Sequence, residues 1–175
     1  MQINNKIFKP YLDASVIQKR ITEMAKEITA EFHDKNPVFI IVLTGAFAFG
    51  AELIRQFQGK CTVRFTRIKS YTGTVAGEIE VFTGFDIDLK DRHIIFLEDI
   101  IDTGKTVFHL TREAEKLKPA SITVATLLQK HILRPNLIKG DYVGFEIPDV
   151  FVVGYGLDYD EEGRNWNGVY QLDDK

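Results

Sequence analysis

The sequence predicts an α/β protein whose parallel sheet is flanked by helices. Short apolar runs rich in β-branched residues alternate along the chain with segments of helical periodicity. Such runs are typical of strands covered on both faces, and their alternation with helices favours right-handed βαβ units. The 175 residues suffice for a single domain, residues 1–175, with a core of its own.

The first predicted element is a helix from about residue 13 to residue 33, because apolar residues recur on one of its faces. That face contains Ile17, Ile21, Met24, Ala25, Ile28 and Phe32. Further helices are predicted from Gly45 to about residue 57 and at residues 106–117.

Strands are predicted at residues 38–43, 61–69, 78–82, 93–97, 121–128, 142–145 and 151–153. Between the second and third of them, the small polar segment 70–77 predicts a mobile loop. The polar tail from Asp158 onwards is predicted to be irregular.

Composition excludes several classes of protein. The formal net charge of -3 argues against a general nucleic-acid binder. No apolar run approaches the ~20 residues of a membrane-spanning helix, and the first ten residues lack the apolar core of a signal peptide. Cys61 is the only cysteine, which excludes a disulfide framework. We therefore expect a cytoplasmic protein that binds neither membrane nor nucleic acid.

Chemistry is concentrated directly after the strand predicted at residues 93–97. The sequence there, residues 98–106, is Glu-Asp-Ile-Ile-Asp-Thr-Gly-Lys-Thr. In open α/β sheets ligands bind beyond the carboxyl ends of the strands, which is where Glu98 and Asp99 are predicted to lie. The amides of residues 102–106 would then open a helix, where N–H groups and the helix dipole favour a phosphate.

Two other interpretations of this segment fit less well. A P-loop requires a glycine five positions before Gly104, and that position is Asp99. Simple helix capping would explain one acid but not three. Carboxylates beside a phosphate site suit sugar hydroxyls, a divalent cation or a proton in transit, so the pattern predicts a ribose phosphate bound with a metal.

This segment resembles the phosphoribosyl pyrophosphate signature of type I phosphoribosyltransferases, in the form found in hypoxanthine (guanine) phosphoribosyltransferases. Further matches are Ser70-Tyr71, Leu127-Leu-Gln-Lys130 with Arg134, and residues 145–158, followed by Arg164. The resemblance implies a parallel-core sheet flanked by helices, with a small hood and a mobile loop. It also implies purine salvage: Mg²⁺-dependent transfer of 5-phosphoribosyl to hypoxanthine or guanine, giving IMP or GMP and pyrophosphate, by a homodimer or homotetramer.

The resemblance also assigns roles to individual residues. The phosphoribosyl pyrophosphate-binding set is Thr44, Gly45, Ser70, Tyr71, Glu98, Asp99, Asp102, Thr103, Gly104, Lys105, Thr106 and Arg164. The purine-binding set is Lys130, Phe151, Val152 and Asp158, and the magnesium ligands are Glu98, Asp99 and Asp158. Asp102 would be the catalytic residue that exchanges a proton with the purine N7.

One position departs from the family pattern. Thr44 stands before Gly45 where relatives commonly have lysine or arginine, which puts pyrophosphate affinity and subunit contacts in question. Two alternatives stay open from the sequence: a xanthine-preferring transferase, and a nucleotide-sensing regulator on the same fold. The net acidic charge argues against the RNA-binding form of such a regulator.

Overall fold

The computed structural model describes residues 1–70, 79–81, 84–131 and 138–173. Its helices are α1 (Ala14–Phe32), α2 (Phe47–Gln56) and α3 (Lys105–Glu115). Its strands are β1 (Gln2–Ile3), β2 (Lys6–Leu12), β3 (Val38–Leu43), β4 (Thr62–Ser70), β5 (Ile79–Val81), β6 (His93–Ile101), β7 (Ser121–Lys130), β8 (Tyr142–Ile147), β9 (Val152–Val153) and β10 (Val169–Leu172).

The central sheet has the strand order β5-β4-β3-β6-β7-β8. Strands β4, β3, β6, β7 and β8 are parallel to one another, and β5 is an antiparallel edge strand paired with β4. The predicted α/β fold class, with a parallel sheet flanked by helices, is therefore confirmed. All the parallel strands end at the same edge of the sheet.

The two faces of this sheet are buried under different helices. On β3, Phe39 and Ile41 pack in one cluster with residues of α1 and α2. Their neighbours Ile40 and Val42 pack in a second cluster with Leu110 of α3. Because successive side chains of a strand point to opposite faces, a strand covered on both faces is apolar throughout, as β3 is.

A second, smaller sheet has the strand order β1-β2-β10-β9 and is antiparallel, and we call it the hood. The prediction of an irregular tail from Asp158 onwards was wrong, because β10 lies between β2 and β9 in this sheet. The pairing partners of β10 are distant in sequence, with Leu172 opposite Phe8. Local patterning in a four-residue strand could not reveal them, and β1 and β2 were missed for the same reason.

Strand β6 is longer than the sequence predicted. It continues beyond Leu97 to Ile101, and Ile101 pairs with Gln129 of β7. Glu98 and Asp99 therefore belong to the last part of the strand and do not follow it. Within the described residues, no helix is both long and apolar enough to cross a membrane.

Candidate active site

The predicted functional residues meet at the edge of the sheet where the parallel strands end. Neighbouring strands β3, β6 and β7 end at Leu43, Ile101 and Lys130. The segments that follow these strands therefore lie side by side although they are far apart in sequence. This edge holds nearly all the site residues that the sequence predicted within the described residues.

The acidic pair at the end of β6 is strongly desolvated. Glu98 is only 6% exposed, and its Oε2 has no hydrogen-bond partner in the part of the chain that the structure describes. Burial, together with the charge of Asp99, raises the pKa of Glu98 well above its ordinary value. A buried carboxylate oxygen without a protein partner is rare and is free to accept a hydrogen bond, bind a cation or hold a proton.

Burial also raises the pKa of Asp99, from an ordinary value of 3.8 to about 6. The backbone N–H of Ile100, 2.9 Å from Asp99 Oδ1, and the charge of Arg164 oppose this increase, whereas the charge of Asp158 adds to it. Asp99 thus accepts a hydrogen bond within the central sheet and faces two charged groups of the segment between β9 and β10.

Two glycines allow the loops around Asp99 to come this close. A Cβ atom on Gly45 would lie 1.6 Å from Asp99 Oδ2. Gly156, in the hood, has a φ of +104°, and a Cβ there would lie 2.0 Å from the carbonyl oxygen of Gly45. Any side chain at either position would separate the three segments. The peptide bond between Leu43 and Thr44, directly before this contact, is cis.

The loop after β6 leads directly into α3. Gly104 is the N-cap residue of α3, with a left-handed φ of +69°. The first N–H groups of a helix have no partner within the helix and point outwards at its positive end. Asp102, Thr103 and Lys105 are exposed, so these amides face an accessible space in which a phosphate could bind.

Lys130, at the end of β7, lies between two carboxylates. Its Nζ is 3.2 Å from Asp102 Oδ2 and 2.8 Å from Asp149 Oδ1. Burial opposes the charge on the ammonium group, but the hydrogen bonds and charges of Asp149 and Asp102 outweigh it and raise the pKa of Lys130. Lys130 is therefore a fixed cation next to the predicted proton acceptor.

Phe151, two residues after Asp149 in the chain, presents an aromatic surface. It is 44% exposed, yet Phe8 and Tyr159 support it with ring centroids 6.3 and 5.9 Å away. Val152, which follows it in β9, is buried. An exposed ring held by other rings is suited to stack on a planar ligand.

Arg164 is held in the hood by several acceptors. Its Nη2 lies 2.8 Å from Asp158 Oδ1 and 3.0 Å from Glu161 Oε2, and its Nη1 donates to the carbonyl oxygen of Gly156 over 2.9 Å. Arg164 and Asp158, predicted separately from the sequence, are thus directly paired.

A few predicted residues cannot be placed in the site. Tyr71 and Arg134 lie outside the described residues, as does most of the loop predicted at residues 70–77. Ser70 ends β4, opposite Ile79 of β5. Sequence reasoning missed Asp149 and Glu161, although Asp149 lies inside a segment that it had matched.

Comparison with known proteins agrees with this geometry. The chain matches the phosphoribosyl transferase domain family over residues 9–160. The chain belongs to the phosphoribosyltransferase family. This confirms the family resemblance that the signature at residues 98–106 carried.

Curated proteins and solved structures from the phosphoribosyltransferase family match nearly the whole chain. A hypoxanthine-guanine phosphoribosyltransferase of Bacillus subtilis is 39% identical over 165 residues, 93% of this chain and 92% of that protein. One from Aquifex aeolicus is 35% identical and covers 99% of both proteins. A crystal structure of a hypoxanthine-guanine phosphoribosyltransferase from Bacillus anthracis has a TM-score of 0.88 and 33% identity, covering 96% of this chain and 98% of that one.

Proposed function

We propose that the protein is a purine salvage enzyme that transfers 5-phosphoribosyl from phosphoribosyl pyrophosphate to hypoxanthine or guanine. The observation that carries this proposal is the convergence of four features at one edge of the sheet. They are the acidic pair of β6, the helix N-terminus at Gly104, the Lys130–Asp102 pair and the supported ring of Phe151. The names of the similar proteins support the same substrates.

The sugar phosphate would be bound by β6 and the loop after it. The amides of residues 103–106 and the hydroxyls of Thr103 and Thr106 donate to the 5′-phosphate, with Lys105 adding positive charge. Glu98 and Asp99 accept hydrogen bonds from the ribose hydroxyls. Backbone groups of Thr44 and Gly45 contact the pyrophosphate, and the segment with Ser70 and Tyr71 covers it.

The carboxylates at this edge fit Mg²⁺, which prefers hard oxygen ligands. No ready-made set of three or more His, Cys, Asp or Glu side chains is present among the described residues. Mg²⁺ is usually held by one or two carboxylates with waters and substrate oxygens, and the partnerless oxygen of Glu98 suits that arrangement. We assign Glu98 and Asp99 to one ion and Asp158 to a second. Bound magnesium would offset charge on the leaving pyrophosphate.

The purine would stack on Phe151, with its 6-oxo group accepting from Lys130. Backbone groups at Val152 and Asp158 read the ring edge. As the purine N9 attacks the anomeric carbon and pyrophosphate leaves, the ring becomes more acidic and Asp102 accepts the proton from N7. Arg164 exchanges its carboxylate partners for the pyrophosphate and stabilises the charge of the leaving group.

Homo-oligomeric assembly and a cytoplasmic location stay predictions from the sequence.

The test measures pyrophosphate release with phosphoribosyl pyrophosphate and Mg²⁺, offering hypoxanthine, guanine, xanthine, adenine and uracil separately. We expect turnover with hypoxanthine or guanine. Turnover with xanthine alone would replace the proposed substrates with the xanthine-preferring alternative. Nucleotide binding without turnover of any base would favour the regulator.

A further inference from the structure

The carboxylate of Asp149 has no role in the chemistry described above, yet it makes the shorter of the two ion pairs of Lys130. Its Oδ1 lies 2.8 Å from Lys130 Nζ, compared with 3.2 Å for Asp102 Oδ2. The side chain of Lys130 is only 10% exposed, whereas that of Asp149 is 74% exposed. Asp149 therefore reaches a largely enclosed ammonium group from the rim of the site.

The backbone holds these two residues next to each other. Lys130 is opposite Ile147 in the pairing of β7 with β8, and the N–H of His131 donates to the carbonyl oxygen of Ile147 over 2.9 Å. Asp149 then lies in a tight turn, in which the N–H of Val150 donates to the carbonyl oxygen of Pro148 over 2.8 Å. Since Lys130 ends β7 and Asp149 comes two residues after the end of the paired strand β8, their contact is part of the fold.

An ammonium group has three N–H donors and no acceptor. In Lys130 two of them are directed to Asp102 and Asp149, and among the described residues this leaves one for a ligand. Two fixed partners set the direction of this third donor, whereas a lysine with one partner could rotate about it. The 6-oxo group of a bound purine is the acceptor that the proposed function places there.

The proposed proton transfer is a second reason why Lys130 needs a permanent anionic partner. When Asp102 accepts a proton it loses its negative charge and no longer balances Lys130. An enclosed ammonium without an anionic partner is costly. Asp149 takes no part in the proton transfer, so it keeps Lys130 paired throughout.

We propose that Asp149 is the positioning residue that orients Lys130 towards the 6-oxo group and remains its counter-ion during turnover. The inference rests on the proposed function, because it assumes that a purine nucleotide occupies this site. It adds a residue to which the sequence assigned no role. Asp149 acts through Lys130 and does not itself touch the substrate.

The test compares, by calorimetric titration, IMP with purine riboside 5′-monophosphate, which lacks the 6-oxo group and the N1 hydrogen that accompanies it. In Asp149→Asn we expect the affinity for IMP to fall about tenfold and that for purine riboside 5′-monophosphate to change less than twofold. In steady-state kinetics the KM for hypoxanthine should rise by a similar factor, with the KM for phosphoribosyl pyrophosphate within twofold of wild type. Asp149→Glu should restore part of the IMP affinity.

The matched control is Glu146→Gln, which removes a charge from β8 at an exposed residue paired with His131. It should leave both nucleotide affinities unchanged. In a Lys130→Ala background, Asp149→Asn should cause no further loss of IMP affinity, because the residue acts through the lysine.

Equal losses for both nucleotides, or none for either, would overturn the role of Asp149 while leaving the proposed function intact. A wild-type protein that neither binds IMP nor forms it from hypoxanthine would instead overturn the proposed function. Thermal melts of each variant separate these outcomes from misfolding.

Discussion

At the scale of single residues, Asp102 is accessible to a ligand and lies next to the ammonium group of Lys130. Half of its side chain is exposed, and its Oδ2 lies 3.2 Å from Lys130 Nζ. Because it follows the end of β6, its position is set by the strand and by the start of α3. Under the proposed function, it would meet a base bound between Lys130 and Phe151.

Replacing Asp102 with Asn should slow the chemical step by ~10²-fold or more, because the variant retains the shape but loses the proton acceptor. Phosphoribosyl pyrophosphate binding should be largely unchanged, since the amides of the loop remain. Single-turnover rates and a direct binding titration measure the two effects separately. Wild-type turnover by Asp102→Asn would show that another group accepts the proton.

A Thr44→Lys variant tests the departure from the family pattern. If a charge is what the loop after β3 lacks, the KM for pyrophosphate in the reverse reaction should fall about two- to fivefold, as for an exposed ion pair. Ala30→Lys is the control, because it adds the same charge near the end of α1, at the opposite edge of the sheet. An unchanged KM in Thr44→Lys would mean that the backbone of Thr44 makes the contact that matters.

At the scale of elements, the site depends on a contact between the loop after β3 and the loop after β9. Gly45 and Gly156 form this contact, and each lacks room for a Cβ atom. The hood is thereby attached to the central sheet next to Asp99. Arg164, whose Nη1 donates to the carbonyl oxygen of Gly156, depends on the same contact.

Gly156→Ala should lower the free energy of unfolding by roughly 3 kcal/mol, because both its φ of +104° and its contact with Gly45 are unfavourable for a side chain. Affinity for pyrophosphate should fall as well, since the two loops must separate. Denaturant unfolding and a binding titration measure these effects. The control is Gly84→Ala, where an added Cβ meets nothing within 4 Å. Equal stability of the two variants would contradict the argument.

At the scale of the whole molecule, the acidic pair at the end of β6 makes the free protein less stable than its core would allow. Ionised carboxylates are disfavoured by burial, and Glu98 and Asp99 also repel each other. The binding of a cation or of ribose hydroxyls would relieve this cost. Ligand binding would recover the free energy that the buried, ionised carboxylates cost the folded protein.

Asp99→Asn should therefore stabilise the ligand-free protein in a pH-dependent way. Well below its ordinary pKa of 3.8, Asp99 is protonated both in the folded and in the unfolded chain, so its ionisation contributes no difference. As the pH rises from 3.8 to the folded-state pKa of about 6, the unfolded chain ionises while Asp99 of the folded protein keeps its proton, so the wild type loses stability. Above that pH the advantage of the variant should level off at no more than about 3 kcal/mol, since one pKa unit is worth about 1.4 kcal/mol.

Unfolding free energies measured between pH 4 and pH 8 with a chelator test this prediction. The matched control is Asp88→Asn, at an exposed residue outside the site. A difference between Asp99→Asn and wild type that does not change with pH would mean that Asp99 ionises without cost in the folded protein.

The sequence alone determined the α/β class, with its alternation of strands and helices, and it predicted a site at the end of β6. Apolar runs such as residues 38–43 identify buried strands because both faces of a parallel strand are covered. Residues 98–106 indicated a phosphate and a sugar because their spacing combines three acids with a helix start. These signals are local, so they can be recognised without knowing what packs against them.

Only the tertiary structure decided which distant segments meet. The hood sheet joins β2 to β10, the pair Gly45 and Gly156 connects two loops, and Asp149 reaches Lys130 from the turn after the neighbouring strand β8. None of these residues has a distinctive local pattern, because each depends on a partner far away in the chain. The extension of β6 to Ile101 has the same cause, since the pairing of Ile101 with Gln129 of β7 keeps the chain extended beyond the apolar run.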